Sequence, residues 1–417
     1  MIALFNFNSY LGGGETLFVR WGEWLQKRGE DYLLFYAENS YIEKDLARLN
    51  IATKHLRPVK GDINYYYLNN NKRRVLIEEL LAGIGNIQEI TLVSFCARDL
   101  YTLVDLIRNH NNFKLAHLVL HYQDNLYTCQ TLWDKLLMKF KNQRHFSRKA
   151  SLDFNTLLLD SLCKESIVIP QSVLQAKLWN KKYSIHLDEK ITVPLPVCDF
   201  SQISHKTPIN NNKIIWVGRI VDFKIPALCA MVDFIGKNCT YTLSIVGDGD
   251  EAFLKRYIKD KGYNSELFRF VGKVNYSDLH KIIKEHSIGY AMGTSIVEIG
   301  KYGVPVIMAL ASPDYQLFER PICGGLYLDI SKGNVGDNLY FKGATDPVVL
   351  IDDAMNKLMG DFENMSEMSY RCIKENFDSE INFKLYMKYL HDAKHIEANF
   401  KIPQSSFIRK IAHRLFG

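Results

Sequence analysis

Short apolar runs of strand length alternate along this chain with longer segments in which apolar residues recur at helical spacing. In the first half this pattern predicts strands at Ile2–Phe7, Tyr32–Tyr36, Ile90–Phe95, Leu115–His121 and Ser166–Pro170, an extended piece at Ile51–Leu56, and helices at Glu15–Arg28, Ile42–Leu49 and Arg73–Leu81. In the second half it predicts strands at Lys213–Val217, Tyr241–Val246, Leu267–Val271, Ile288–Ala291 and Val304–Met308, and helices at Pro226–Ile235, Ala252–Lys261, Tyr276–Glu285 and from Thr294. Strands separated by helices indicate parallel, doubly wound sheets, so we predict an α/β fold.

The chain is expected to form two Rossmann-like domains. Its 417 residues exceed what one core usually supports, and 47% of them are hydrophobic. The polar stretch 201–212, with a proline and consecutive asparagines, predicts a linker between domains at 1–200 and 213–375. The cleft between two such domains is the expected place for a ligand.

The main candidate for chemistry is the strand-turn-helix-strand unit Ser287–Met308. Its turn at Gly293 and helix start at Thr294 are expected to leave the N–H groups of Ser295, Ile296 and Val297 free at the carboxyl edge of a parallel sheet, where a helix N-terminus favours phosphate. Glu298, one turn later, would accept hydroxyl donors such as those of a ribose. Ser295-x-x-Glu298 also fits a capping box, and those residues alone favour that structural interpretation.

Two further strand ends carry candidate groups. Arg219 and Lys224 follow the predicted strand Lys213–Val217, where two cations would neutralise a diphosphate. His121 ends the strand Leu115–His121, although a single histidine is more often structural. Glycines 12–14, at the first strand-to-helix turn, would let a ligand approach the backbone, and a tight turn without a ligand has the same pattern.

A competing motif, Gly247-x-Gly249-x-x-Ala252, fits the dinucleotide fingerprint of nicotinamide dehydrogenases. Asp248, Asp250 and Glu251 would crowd a pyrophosphate with negative charge. The next strand also lacks the expected ribose-binding acid, so a dehydrogenase is a minor alternative.

Charge and cysteine content exclude several classes. The 52 basic and 46 acidic residues give a net charge of +6, which is too small to predict nucleic-acid binding. The eight cysteines are scattered and form no Cys-x-x-Cys, so neither a zinc site nor a disulfide framework is expected. The chain starts with the strand-like MIALFNF, and no apolar run approaches the length of about 18 residues that spans a membrane, so we expect a cytoplasmic protein.

Two basic segments are candidates for binding the inner face of the cytoplasmic membrane. In Lys135–Lys149 every charged side chain is basic, and apolar residues lie between them. This pattern fits an ordinary basic surface as well as it fits a membrane-binding one. Phe407–Phe416 places apolar residues on one helical face and basic ones on the other. Packing of this C-terminal segment on the protein, or docking to a partner, would require the same pattern.

Several motifs together resemble the retaining glycosyltransferases of family 4, which have the GT-B fold. The resemblance rests on GGGE (12–15), a strand ending in His121, VPLPVCD (193–199), VGRIVDFK (217–224), IVGDGDE (245–251), FVGKV (270–274) and MGTSIVEIGKYGVPVI (292–307). These motifs occur in the family's order and cover most of residues 1 to 310. The resemblance implies transfer of a sugar from a UDP or GDP donor, with retention of configuration and without a required metal or other cofactor.

The same resemblance implies roles for individual residues. Arg219 and Lys224 match the diphosphate-binding pair, and Glu298 matches the ribose-binding glutamate. The turn at Gly293 and the helix start Thr294, Ser295, Ile296 and Val297 match the segment that contacts the phosphates, and Gly13 and Gly14 match the loop beneath them. Gly272 and Lys273 match the segment beside the base. His121 matches the histidine near the donor sugar. In such enzymes the final helix, here within 376–417, crosses back to the first domain.

One position departs from the family pattern. A second glutamate often lies eight residues before the ribose-binding one, and here that residue is Tyr290. A tyrosine would stack on the transferred sugar or donate one hydrogen bond to it. The MGTS-x-x-E form resembles enzymes of capsule, lipopolysaccharide or other surface-glycan synthesis, with glycan or lipid-linked acceptors. A nucleotide-sugar binding protein without activity is the alternative that this departure leaves open.

Overall fold

The computed structural model describes residues 1–9, 12–60, 68, 70–108, 110, 112–120, 159–164, 167–205, 208–336, 338–340 and 346–395. Contacts divide the chain into two units. The first comprises Met1–Gln171, Gln175–Val193 and the chain from Phe383, and the second comprises Ser172–Leu174 and Pro194–Asn382.

The first unit contains a parallel sheet in the order β3-β2-β1-β4-β5-β6. Its strands are β1 (Ile2–Asn6), β2 (Tyr32–Ala37), β3 (Leu56–Val59), β4 (Ile90–Ser94), β5 (Phe113–Val119) and β6 (Ile167–Pro170). The helices along this part of the chain are α1 (Gly13–Arg28), α2 (Tyr41–Arg48), α3 (Asn70–Ile84), α4 (Ala97–Ile107) and α5 (Val173–Tyr183), with 3₁₀ turns at Thr53–His55 and Glu189–Ile191.

The second unit contains a parallel sheet in the order β11-β10-β7-β8-β9 and a small antiparallel pair, β12-β13. Its strands are β7 (Lys213–Val217), β8 (Thr242–Val246), β9 (Phe268–Gly272), β10 (Ile288–Ala291), β11 (Val306–Met308), β12 (Ile322–Cys323) and β13 (Val349–Leu350). The helices along this part of the chain are α6 (Ile225–Asn238), α7 (Glu251–Asp260), α8 (Tyr276–Ile283), α9 (Ser295–Gly300), α10 (Ile351–Gly360) and α11 (Phe362–Phe377), with 3₁₀ turns at Phe200–Gln202, Ser265–Leu267, Tyr315–Phe318, Tyr327–Asp329 and Asn338–Tyr340. The helix α12 (Ser379–His391) begins in the second unit and belongs to the first unit from Phe383.

The predicted parallel α/β organisation is confirmed in both units, and β7 and β10 have the predicted bounds. The extended piece predicted at Ile51–Leu56 is wrong, because a 3₁₀ turn precedes β3, which begins at Leu56. The sequence pattern also missed α4, α5 and α11. All of β1 and β2 is buried, as expected of strands covered on both faces.

The last helix, α12, packs its aromatic residues on α1. The ring centroid of Trp21 lies 5.8 Å from that of Phe383 and 4.9 Å from that of Tyr386, and the Tyr386 hydroxyl donates to the carbonyl of Val193. These aromatic contacts are why the chain from Phe383 belongs to the first unit.

The chain joins the second unit at Pro194, before the predicted linker 201–212. The backbone of Val197 donates to Phe377, and that of Ser379 donates to Cys198. These hydrogen bonds tie residues 194–200 to the end of α11, an attachment that composition alone does not reveal. No helix in the described part of the chain is both long enough and apolar enough to span a bilayer.

Each sheet reverses its strand order at one point, between β1 and β4 in the first unit and between β7 and β10 in the second. Open α/β sheets bind ligands outside the carboxyl ends of their strands at such a switch point. The loops after these four strands are therefore the places to look for a site.

Candidate functional site

The loop after β7 and the turn after β10 meet at the switch point of the second unit. Arg219 is exposed, and Lys224, the N-cap residue of α6, is half-buried. A Cβ atom built on Gly218 would lie 3.1 Å from Nζ of Lys224 and 3.8 Å from Oγ of Ser295. The ammonium group and the turn predicted to bind phosphate are thus neighbours.

Lys224 lies in an environment that is unfavourable for a cation. Burial, and then the positive charge of Arg219, lower the pKa of the Lys224 ammonium from its ordinary 10.5 to about 8. The positive end of the α6 dipole lies beside it, and the first turn of α6 has no acidic residue. Among the described residues, neither cation has an acidic partner in a salt bridge. Such an arrangement is typical of a site for an anion.

Aromatic rings supply the remaining surroundings of Lys224. Its Nζ lies 5.9 Å from the ring centroids of both Trp216 and Phe223, within the range of cation–π attraction. Trp216 is fully buried, and its indole N–H donates to the carbonyl of Gly218 at 3.1 Å. The indole therefore fixes the start of the loop that carries both cations.

Backbone hydrogen bonds hold Arg219 in place from both sides. Gly218 donates to Val246, and Ile220 donates to Asp248 at 2.7 Å and accepts from Asp250 at 3.0 Å. The loop after β8 can approach this closely only because it contains glycine. A Cβ on Gly247 would lie 2.1 Å from the Gly218 carbonyl oxygen, and one on Gly249 would lie 2.2 Å from that of Ile220. These glycines explain the fingerprint-like motif without a dinucleotide.

The turn after β10 begins at Gly293, as predicted, but fewer of its backbone N–H groups are free than the sequence predicts. Ile296 donates to the carbonyl of Gly293 and Val297 to that of Thr294, so the prediction that both N–H groups are free is wrong. The first turn closes with tight i to i+3 bonds, which use these donors. Within the described part of the chain, no backbone carbonyl accepts from the amides of Thr294 and Ser295.

The capping-box interpretation is also wrong. The N-cap of α9 is Thr294 and not Ser295, and the Thr294 side chain makes no capping hydrogen bond. The Glu298 carboxylate instead accepts hydrogen bonds from the Tyr276 hydroxyl, at 3.0 and 2.9 Å, and from Nζ of Lys301. The sequence predicts neither partner of Glu298. The contact with Tyr276 depends on the fold, and the contact with Lys301 depends on the direction of its side chain.

Tyr290 does not reach a ligand. The side chain is fully buried in β10, and its hydroxyl donates to the carbonyl of Ala227 at 3.1 Å. The suggestion that it stacks on a sugar or donates to it is therefore corrected, because the ring lies in the core and its proton is already used. Burial also raises the pKa of its hydroxyl well above the ordinary value.

The other predicted residues are dispersed. Gly272 ends β9 and accepts from Gly247, with Lys273 exposed beside it. Gly13 and Gly14 begin α1 in the first unit, and a Cβ on Gly13 would meet no atom within 4 Å. His121, Lys135–Lys149 and Phe407–Phe416 lie outside the described residues. The roles assigned to all of these stay predictions.

A buried polar cluster supports the segment that is hydrogen-bonded to the turn after β10. Asp346 accepts from Ser331 and Asn334, and Asn334 in turn accepts from the backbone of Gly336. The same segment supplies the Val335 carbonyl that accepts from Gly293. Residues 331–336 and Asp346 thus help to shape the site, a role that the sequence pattern does not indicate.

No protein-family model matches the sequence, and a search of curated protein sequences finds no match. Solved structures do match. HepE from Anabaena, in complex with UDP, is 14% identical with a TM-score of 0.64 over 94% of this chain and 99% of that chain. A second match is the lipopolysaccharide outer core galactosyltransferase WaaB, with 10% identity and a TM-score of 0.56 over 94% of this chain and 99% of that chain. A third is the pneumococcal O-GlcNAc transferase GtfA in complex with UDP and GlcNAc, with 10% identity and a TM-score of 0.54 over 94% of this chain and 98% of that chain.

The chain has the GT-B glycosyltransferase fold. These comparisons give no support for a dehydrogenase. In this GT-B chain, the loops after β7, β8 and β10 bring together two cations, close-packed glycines and, in α9, the buried carboxylate of Glu298.

The first unit of this GT-B chain has polar side chains at its own switch point, of which the sequence pattern predicts only the glycines and Glu15 of the GGGE motif. After β1, the side-chain amide of Asn8 donates to Glu15 at 2.6 Å, and Glu15 is buried in the first turn of α1. Asp99, at the start of α4, is buried and accepts from the backbone of Phe7. Within the described ranges, no group of three or more His, Cys, Asp or Glu side chains is arranged to hold a metal ion.

The backbone hydrogen bonds between the loops after β7 and β8, which we call the loop ladder, predict a specific effect of Gly249→Ala. Gly249 has a φ of +125°, and its new Cβ would collide with the Ile220 carbonyl, so the ladder that holds Arg219 must open. We expect the free energy of unfolding to fall by about 1–3 kcal/mol, measured by chemical denaturation. Gly262→Ala is the control, since its φ is +69° but nothing lies within 4 Å of the new Cβ. Equal losses in both variants would contradict the ladder.

Lys224→Met should stabilise the free protein, because it removes a desolvated cation beside another cation. The wild-type penalty is complete below about pH 8, where Lys224 is charged both folded and unfolded, and it fades as the pH rises from 8 to 10.5. We expect the melting temperature at pH 7 to rise by about 2 °C, with a smaller rise at pH 9.5. Lys237→Met, at the other end of α6, is the matched control. A lower melting temperature for Lys224→Met would make Lys224 a structural residue.

Proposed function

We propose that this protein transfers a sugar from a nucleoside diphosphate donor to a glycan or lipid-linked acceptor. The observation that carries the proposal is the pair Arg219 and Lys224 at the switch point of a GT-B chain, where no described acidic side chain forms a salt bridge with either cation. A diphosphate supplies the negative charge that this pair lacks. HepE and GtfA were solved with UDP bound, which supports UDP as the first donor base to test, with GDP as the alternative.

The electrostatics of sugar transfer suit these residues. Breaking the sugar–phosphate bond places positive charge on the anomeric carbon and additional negative charge on the leaving diphosphate. Fixed cations stabilise that negative charge more in the transition state than in the ground state, which is the condition for catalysis. Lys224 and Arg219 would contact the diphosphate, with Ser295 and the amides of Thr294 and Ser295 as further donors.

Finer assignments follow from the resemblance to family 4 of the retaining glycosyltransferases. We assign Glu298 to the ribose, Gly272 and Lys273 to the base, and His121 to the transferred sugar, with retention of its configuration. Gly13 and Gly14 complete the phosphate contacts in this proposal. The acceptor binds the first unit, where Asn8, Glu15 and Asp99 supply polar groups at the sheet edge.

A second candidate is a nucleotide-sugar binding protein without transfer activity. Its support is Tyr290, a fully buried tyrosine where the resembled family often has a sugar-binding glutamate. Slow hydrolysis of the donor in the absence of an acceptor would exclude this candidate.

The deciding experiment is a thermal-shift and calorimetric screen of nucleoside diphosphates and nucleotide sugars. A ligand that binds only the native state raises the melting temperature, and more so at higher affinity. We expect UDP or GDP to bind wild type, and Lys224→Ala to lower turnover of the matching sugar donor about a hundredfold. Near-normal turnover in a folded Lys224→Ala protein would remove Lys224 from this role, and no binding of any nucleotide would refute the function.

Binding should also be linked to protons. The diphosphate raises the pKa of Lys224 above its free value of about 8, so binding near pH 9 takes up protons, up to about one per site. Affinity should accordingly weaken as the pH rises above 8. Calorimetry in buffers with different ionisation enthalpies measures the uptake, and Lys224→Met should abolish it. Equal proton uptake by wild type and variant would assign the linkage to another group.

For a lipid-linked acceptor, we propose that Lys135–Lys149 and Phe407–Phe416 bind an anionic membrane surface. Deletion of residues 404–417 should lower the fraction of protein that sediments with liposomes containing anionic lipid, because it removes both apolar and basic contacts. The control is neutral liposomes, which should bind wild type less. An unchanged bound fraction after deletion would exclude the C-terminal segment from membrane binding.

A further inference from the structure

Three side chains form one hydrogen-bonded group beside the candidate diphosphate site. The Glu298 carboxylate accepts from the Tyr276 hydroxyl at 3.0 and 2.9 Å and from Nζ of Lys301 at 2.5 Å. Nζ of Lys301 also donates to the Tyr276 hydroxyl oxygen at 3.2 Å. Because this oxygen accepts from the lysine, its own proton is directed at the carboxylate.

Lys301 is the buried partner in this group. It is 5% exposed, one turn after Glu298 on the same face of the chain. Burial alone would lower the pKa of its ammonium, but the charge and hydrogen bond of Glu298 outweigh burial and raise it. Removing one member of such a pair would leave a buried charge without its partner, so the two are expected to stay together.

Tyr276 is the exposed partner in this group. It is 64% exposed at the first residue of α8, so its ring can rotate into solvent without opening a core. Burial of its hydroxyl and the negative charge of Glu298 raise its pKa, so the phenol stays protonated and donates. An exposed side chain thus presents a neutral hydroxyl to a carboxylate that is only 8% exposed.

We propose that the Tyr276 hydroxyl occupies the ribose position on Glu298 in the free protein and is displaced by the ribose hydroxyls when the nucleotide binds. Lys301 remains in place and acts as a positioning residue that fixes the orientation of the carboxylate. This inference rests on the proposed function and adds two residues to its ribose subsite. A phenol and a ribose offer the carboxylate the same O–H donor, which is why one can substitute for the other.

The consequence is that Tyr276 competes with the ligand. Tyr276→Phe keeps the ring and removes the competing hydroxyl, so the affinity for a ribonucleoside diphosphate should rise about three- to tenfold. A 2′,3′-dideoxy diphosphate has no hydroxyl for Glu298 and leaves the tyrosine bond intact, so the variant should gain nothing with it.

The experiment is calorimetric titration of the full chain with UDP and GDP, and with the 2′,3′-dideoxy form of whichever binds. The matched control is Tyr302→Phe, because the Tyr302 ring centroid lies 5.2 Å from Nζ of Lys301 and that of Tyr276 lies 5.3 Å from it, while the Glu298 contact belongs to Tyr276. Tyr276→Leu, which also lacks the hydroxyl, repeats the measurement if the phenylalanine variant folds poorly.

The outcomes separate this inference from the proposed function. Unchanged or weaker binding of the ribonucleotide by Tyr276→Phe, or an equal gain with the dideoxy form, would overturn the displacement while leaving the function intact. If wild type binds no nucleoside diphosphate, both fail together. A gain restricted to the ribonucleotide and absent from Tyr302→Phe is the expected result.

The role of Lys301 has its own readout. Lys301→Met should reduce the preference for the ribonucleotide over the dideoxy form, measured as the ratio of their dissociation constants, because Glu298 loses its orientation. Lys301→Arg should restore most of that preference by supplying a cation at the same place. An equal loss of affinity for both ligands in Lys301→Met would show a merely structural role.

Discussion

The candidate diphosphate site depends on one unfavourable arrangement, the half-buried ammonium of Lys224 beside the guanidinium of Arg219. Burial and the positive charge of Arg219 disfavour the charged form of the lysine and lower its pKa to about 8. The N-terminus of α6 adds a positive dipole end beside it. A fold retains such an arrangement only when surrounding contacts hold it, and an anion would relieve it.

The surrounding contacts come mostly from the backbone. The loop after β8 binds the residues on both sides of Arg219, through glycines that no other residue type could replace without a collision. The Trp216 indole anchors Gly218, and the buried cluster around Asn334 and Asp346 positions the turn at Gly293. Rigid support of this kind is what electrostatic catalysis requires, because the charges need not reorganise during the reaction.

Much of this site follows from sequence periodicity. The apolar runs at Lys213–Val217 and Ile288–Ala291 have the strand bounds found in the structure, and parallel topology then brings the residues after them to one sheet edge. The position of Tyr290 could not be predicted in this way. Every residue of β10 is buried, so alternation along the strand does not distinguish a ligand-facing side chain from a core one.

The partners of Glu298 could not be predicted from the sequence either, for a different reason. Tyr276 lies 22 positions earlier in the chain, and its contact depends on how α8 and α9 pack. Lys301 lies within helical reach, but a lysine after a glutamate usually indicates an exposed surface pair and not a buried one. Likewise, the support given by Asn334 and Asp346 depends on tertiary hydrogen bonds, which sequence periodicity does not specify.

The most direct measurement is a crystal structure of the protein with UDP or GDP, whichever it binds. The account predicts diphosphate oxygens within hydrogen-bond distance, about 3 Å, of both Nζ of Lys224 and the guanidinium of Arg219. A nucleotide bound elsewhere, or one whose diphosphate leaves Lys224 without a contact, would contradict it.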